Sequence, residues 1–157
     1  MRKYSAAPLL LEKNEMTIQK IEILDGGIWN DARGALRYSN DLPVREFQRF
    51  YTIQNADEIH VRGWHGHRFE AKAFIALAGK IRVGLVEVDD WTNPSKELPV
   101  HTFDLDWHKP QVVLVPGGYA NAILSLSQGA VAGVFSSSSL SESQADDVRF
   151  PSNYWLI

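Results

Sequence analysis

The stretch Lys80-Ile81-Arg82-Val83-Gly84-Leu85-Val86-Glu87-Val88 alternates apolar residues with polar or small ones. Successive side chains of a strand point to opposite sides, so Ile81, Val83 and Leu85 share one face and Lys80, Arg82 and Gly84 the other. A helix would instead repeat its apolar residues three and four positions apart. Residues 17–24 read the same way: Ile21 and Ile23 oppose Lys20 and Glu22, and the run stops at Asp25-Gly26-Gly27. Further β-rich runs cover residues 46–53, 73–77, 100–105, 111–115, 120–126 and 130–136. Turn-forming clusters separate them, among them Asn40-Asp41-Leu42-Pro43, Asn93-Pro94-Ser95, Pro116-Gly117-Gly118 and Gln128-Gly129. No convincing amphipathic helix is present; the serine-rich residues 136–147 read as a loop or one short helical turn. Many short strands without repeats or heptads predict an all-β sandwich or closed barrel.

The chain of 157 residues has the length of one domain, and 1–157 reads as a single unit. A hydrophobic content of 45% supplies a core, and 22% charged residues is too low for a disordered chain. Lysine and arginine number 16 against 19 acidic residues, for a net charge of -3, so there is no basic surplus to neutralise nucleic-acid phosphates. The absence of cysteine removes disulfide scaffolds, thiolate catalysis and cysteine-held zinc or iron–sulfur sites. No stretch reaches the roughly 20 apolar residues of a membrane helix. In residues 1–16 the apolar Ala6 to Leu11 contains Pro8 and runs into Glu12 and Lys13, which reads as a tail or edge strand rather than a secretion signal. The expected location is the cytoplasm.

The chemistry concentrates in Arg62-Gly63-Trp64-His65-Gly66-His67-Arg68-Phe69-Glu70-Ala71-Lys72. His65 and His67, two apart on a strand, face one side, and so dense a set of titratable groups marks a candidate site. Two readings compete. As a metal motif, His-x-His with Glu70 resembles the first cupin motif. The acid then follows too closely, the partner position after Pro116-Gly117-Gly118-Tyr119-Ala120 is Asn121, and Arg68 and Lys72 would repel a dication. As metal-free acid–base chemistry, a neutral histidine removes a proton beside a carbonyl while cations stabilise the enolate. Arg62, Lys72 and Arg49 supply the cations, and arginine's planar fork suits a diphosphate. Tyr51 shares the face of Arg49 and offers a phenol for proton return. Trp64, Arg68, Glu70, Tyr119 and Asn121 are candidate substrate contacts. His60, His101 and His108 read as surface or structural, and Trp29, Trp91, Trp107 and Trp155 as core or interface. Asp31 reads as a turn former before a strand, and Asp146-Asp147 as a solvated loop.

Arg62-Gly63-Trp64-His65-Gly66-His67-Arg68 resembles the RG-x-HAHK signature of the cupin-fold sugar 3,4-ketoisomerases, the WxcM-like family. Arg49-Phe50-Tyr51 resembles that family's R-x-Y strand. The chain is also similar to the dTDP-4-dehydrorhamnose 3,5-epimerases of the same fold, whose arginine, base histidine and lysine are matched by Arg62, His65 and Lys72. The segment Val115 to Asn121 resembles those epimerases' Pro-Pro-Gly-Phe-Ala-His, and residues 137–157 stand where both groups have a closing segment.

The resemblance implies a double-stranded β-helix, or jelly-roll cupin, that works as a homodimer without metal or organic cofactor. It implies a nucleotide-linked 4-keto-6-deoxy sugar as substrate and polysaccharide or natural-product sugar biosynthesis as setting. His65 is then the base, with Tyr51, His67 and Lys72 as partners. Departures from the patterns are Gly66 for alanine, Arg68 for lysine, Lys72 for glutamine, Asn121 for the epimerase histidine and Phe135 for the epimerase's acid tyrosine. The expected reaction is 3,4-ketoisomerisation, with 3- or 3,5-epimerisation and non-catalytic sugar-nucleotide binding as alternatives.

Overall fold

The computed structural model describes residues 18–157, so the expectation for the N-terminal tail lies outside the described residues. In chain order the strands are β1 (Glu22–Asp25), β2 (Gly27–Asp31), β3 (Gly34–Tyr38), β4 (Arg49–Ile53), β5 (Arg62–His67), β6 (Lys72–Ala78), β7 (Lys80–Glu87), β8 (His101–Asp106), β9 (Gln111–Val115), β10 (Tyr119–Ser125) and β11 (Val131–Ser136). A short helix, α1 (Leu140–Ala145), and a last strand, β12 (Val148–Arg149), complete the described fold. One five-stranded sheet runs β1-β9-β6-β11-β4, a second runs β12-β5-β10-β7-β8, and β2 and β3 form a separate hairpin. Strand pairing is antiparallel throughout. This is the all-β architecture expected from the alternating runs, in the jelly-roll form that the resemblance implies.

The inward faces of the two sheets close over one cluster. Ile81, Val83 and Leu85 of β7 meet Phe74 of β6, Val113 of β9 and Val134 of β11. Each such side chain contributes about 1.5–3 kcal/mol by leaving water. A second cluster lies on the outer side of the second sheet, where Trp64, Val86 and Ala122 are covered by the C-terminal Phe150, Tyr154, Trp155 and Ile157. Trp155 donates to the Ser95 carbonyl and Tyr154 to that of Pro94, which pins this segment across the sheet.

Some boundaries differ from the sequence expectation. The 46–53 run starts as a 3-10 turn, Val44–Glu46, before the strand begins at Arg49. In the β2–β3 hairpin, β3 is the strand expected after Asp31, whereas β2 lies outside the expected β-rich runs. The hairpin turn follows Asp31, whose Oδ1 accepts the Arg33 N–H at 2.8 Å. Trp29 on β2 is 67% exposed, so it is not core. Within the serine-rich stretch, Ser139 and Glu142 form a reciprocal capping box that starts α1.

One irregularity shapes the site. His65 pairs with Asn121 and Gly63 with Ala122, leaving Trp64 as an extra residue on β5. Such a bulge reverses which face the following residues occupy. Gly63 is needed there, because a Cβ would stand 2.5 Å from that of Ala122.

Candidate active site

A cleft of about 340 Å³ opens between β4, β5, β6, β10 and the α1–β12 segment. Arg49, Tyr51, Arg62, His65, His67, Lys72 and Asn121 all line it, so the structure brings together most of the residues singled out in the sequence. The bulge is what unites Arg62 with the histidines. Strict alternation would place Arg62 and His65 on opposite faces, and the extra Trp64 returns both to the cleft. Asn121 lies opposite His65 and donates to its carbonyl at 3.0 Å.

The candidates that lie elsewhere require correction. Trp64 is fully buried on the other side of the sheet, where its indole donates to the Trp155 carbonyl at 3.0 Å. It is a core residue. Arg68 stacks on Trp91, 5.0 Å from the ring centre. Tyr119 packs against the cluster between the sheets. Glu70 has no exposed surface and lies beneath the cleft rather than on its wall. Phe135 contacts Phe47 and Phe50 on the outer face of the first sheet, so it does not stand at a cleft position for a phenol. The neighbouring Val134 and Ser136 pair with Tyr51 and Arg49 on the inner face.

The expectation for Asp146-Asp147 as solvated is overturned. Asp146 is buried and accepts the backbone N–H groups of Arg68 at 3.0 Å and Phe69 at 2.8 Å. Asp147 reaches into the cleft, with Oδ1 3.5 Å from His65 Nδ1 and 3.9 Å from His67 Nε2. Arg149 Nε donates to its other oxygen at 2.8 Å. Burial works against the Asp147 charge, but the bond and charge of Arg149 and the two histidines hold its carboxyl below the ordinary 3.8. The sequence signal for this element was the Ser-x-x-Glu capping box, which marks a helix ending at these acids.

The electrostatics set the protonation states. Burial pushes His65 below its ordinary 6.5, with Asp147 opposing. Burial and the nearby Lys72 push His67 down as well, with Glu70 opposing. Both rings are therefore neutral near pH 7. Burial also lowers Lys72, whose ammonium lies 3.5 Å from the Tyr51 hydroxyl. Burial and the charge of Glu70 raise the Tyr51 phenol to about 12, so it keeps its proton. Arg49 is committed locally: its Nε donates to the Ser138 carbonyl and its Nη2 to Glu70 and Ser136. Arg62 has no ion-pair partner among the described residues and remains available to an anion.

This arrangement can remove a proton, stabilise an oxyanion and return a proton within one cleft. Among the described residues no group of three or more His, Cys, Asp or Glu is arranged to hold a metal ion. No described helix is long and apolar enough to cross a membrane.

Comparison with solved structures places the fold. A histidine-to-asparagine variant of the 3,4-ketoisomerase QdtA from Thermoanaerobacterium thermosaccharolyticum, in complex with TDP-4-keto-6-deoxyglucose, superposes with a TM-score of 0.66 at 19% identity, over 87% of this chain and 91% of that one. The WlaRB TDP-quinovose 3,4-ketoisomerase from Campylobacter jejuni gives 0.63 at 23% identity, over 87% and 98%. The rmlC epimerase of Mycobacterium tuberculosis gives 0.67 at 15% identity, over 85% and 70%. At these identities the likeness speaks for the fold. No curated protein matches the sequence. The family model described as FdtA: WxcM-like, C-terminal matches residues 15–154, nearly the whole chain, and the protein belongs to that family.

Proposed function

We propose that this protein isomerises a nucleotide (dTDP)-linked 4-keto-6-deoxy sugar by histidine-mediated proton transfer beside the ketone, most directly as a 3,4-ketoisomerase. The observation that carries the reading is the convergence of two neutral imidazoles, a buried lysine and a protonated phenol in one cleft. His65 takes the proton from C3. Lys72 stabilises the enediolate oxygen that forms, and Tyr51 delivers a proton to C4. The O3 hydroxyl loses its proton as O4 gains one, so the ketone moves from C4 to C3. Arg62 and Arg149, at the cleft wall, bind the diphosphate. The chemistry uses side chains alone.

Incubation with dTDP-4-keto-6-deoxyglucose in deuterated water, followed by NMR, tests this. A new 3-keto species carrying solvent deuterium is expected. Inverted stereochemistry at C3 or C5 would make the protein an epimerase, and the absence of any exchange would overturn the reading.

We also propose a homodimer. The outer face of the first sheet bears a groove of about 420 Å³ lined by Leu42, Phe50, Ile75, Leu77 and Phe135. The exposed Trp29 and Leu36 of the adjacent hairpin add to an apolar surface larger than isolated hydrophobes require. A second copy covers it, and sedimentation equilibrium at twice the chain mass is the expected result.

A further inference from the structure

Glu70 was a candidate substrate contact, yet its side chain has no exposed surface. Polar groups from five elements converge on it. Ser136 Oγ of β11 and Arg49 Nη2 of β4, the latter at 3.3 Å, donate to Oε1. Lys72 Nζ of β6 lies 3.8 Å from the same oxygen. Ser143 Oγ of α1 donates to Oε2 at 2.7 Å, and His67 Nε2 of β5 is 3.1 Å from Oε2. Donors thus fill the lone pairs of both oxygens, as suits a carboxylate, which has no proton to give. The hydrogen shared with His67 must then sit on nitrogen.

A neutral imidazole carries one N–H. With the proton on Nε2, Nδ1 is bare. Nδ1 is buried and has no hydrogen-bond partner among the described residues. The opposite tautomer would strand a buried donor at Nδ1 and set a lone pair at Nε2 against the Glu70 carboxylate, and both cost stability. The groups facing the ring are Glu70, Lys72, Asp146 and Asp147. None of them supplies an acceptor to Nδ1.

Glu70 also grips the far end of the site. Ser143 belongs to α1, and the chain passes from α1 through Asp146 into Asp147 beside His65. We propose that Glu70 is a positioning residue that fixes the proton of His67 on Nε2 and, through Ser143, holds the helix that delivers Asp147 to His65. One buried carboxylate thereby orients one imidazole directly and the partner of the other at a distance. A histidine whose tautomer is fixed by a carboxylate presents its second nitrogen as a defined acceptor. The tautomer is independent of the reaction; only its consequence for turnover rests on the proposed isomerisation.

The test is long-range 1H–15N NMR on the full chain labelled at histidine, with His67 assigned by loss of its signals in His67→Gln. The expected wild-type spectrum has the proton on Nε2 and a bare Nδ1. In Glu70→Gln the cations Arg49 and Lys72 face the Oε1 position and draw the amide oxygen there, which turns the NH2 group toward His67. The ring is expected to move its proton to Nδ1. Glu70→Asp is expected to keep the wild-type tautomer, and turnover to fall about 10- to 100-fold in Glu70→Gln with partial rescue in Glu70→Asp. Ser143→Ala should keep the tautomer while shifting the His65 titration.

A wild-type proton on Nδ1, or an unchanged tautomer in a folded Glu70→Gln, overturns the proposal. Should Glu70→Gln fail to fold by circular dichroism, the wild-type and Glu70→Asp spectra decide the matter by the same criterion. A wild-type protein with the expected tautomer but no deuterium exchange would refute the isomerase reading and leave this one standing.

Discussion

Oδ1 of Asp147 lies 3.5 Å from Nδ1 of His65, and the two residues are far apart in sequence. The contact exists because β12 pairs with β5 in a register that sets Arg149 opposite His65. The carboxylate favours the charged imidazole while burial disfavours it, and burial wins. His65 therefore titrates below 6.5, and the base form is present at neutral pH. The rate of proton abstraction should rise with pH through a limb below 6.5 and then level. In Asp147→Asn the carboxylate no longer opposes burial, so the limb should move further to acid while the plateau falls at least about tenfold. The pH–rate profile of solvent exchange checks both, and a limb moving to higher pH would contradict the assignment.

His65→Asn should reduce exchange by about 10²- to 10⁴-fold, the usual contribution of a general base. Its circular dichroism should match the wild type, because His65 belongs to the cleft rather than the core. Retained turnover in a folded variant would rule His65 out as the base.

The Tyr51 phenol, held up at about 12, is a proton donor across the working pH range. Tyr51→Phe should separate the two halves of the reaction, with deuterium still entering at the abstraction carbon but product forming about 10²-fold more slowly or less. NMR in deuterated water reads both rates on one sample. Product formed at the wild-type rate would rule Tyr51 out as the donor.

Trp64 stands within the RG-x-H signature yet serves the core. Trp64→Ala should cost about 3–5 kcal/mol through lost burial and the cavity left behind. Trp64→Phe keeps a ring against Trp155 but loses the indole donor to its carbonyl, at about 1 kcal/mol. Urea midpoints measure both.

Gly66 replaces the alanine of the family signature for a visible reason. A Cβ there would meet Trp91 Cζ3 at 2.7 Å and Phe150 Cε2 at 3.2 Å. Gly66→Ala should destabilise by about 1–3 kcal/mol through overpacking. Adding Trp91→Leu should recover part of that loss, and additive costs in the double variant would show that Trp91 is not the obstacle.

Burial of two neutral histidines also makes stability depend on pH. Their folded pKa values lie below the unfolded 6.5, so this stability is present above 6.5 and is lost as pH falls through the folded values. The urea midpoint should drop as pH falls below about 6.5, and His67→Gln should flatten part of that slope.

Most of the strands and most of the cleft wall are legible in the residues alone. Period-two alternation is a local property, readable in Lys80 to Glu87, and turn residues punctuate it. The spacing of His65 and His67, and of Arg49 and Tyr51, placed each pair on one face by the same rule, and all of them line the cleft. Tertiary structure decided what alternation cannot carry. The bulge at Trp64 restores Arg62 to the side of His65 and sends the indole to the opposite core, a change of face that depends on the partner strand β10. It also turned Asp147 from a solvated loop residue into the partner of His65, and Glu70 from a cleft contact into a buried hub. Both shifts come from long-range docking, of α1 over the β5–β6 turn and of β12 onto the edge of β5. A carboxylate's role depends on which donors the folded chain brings to it, and those donors come from segments that sequence spacing does not relate.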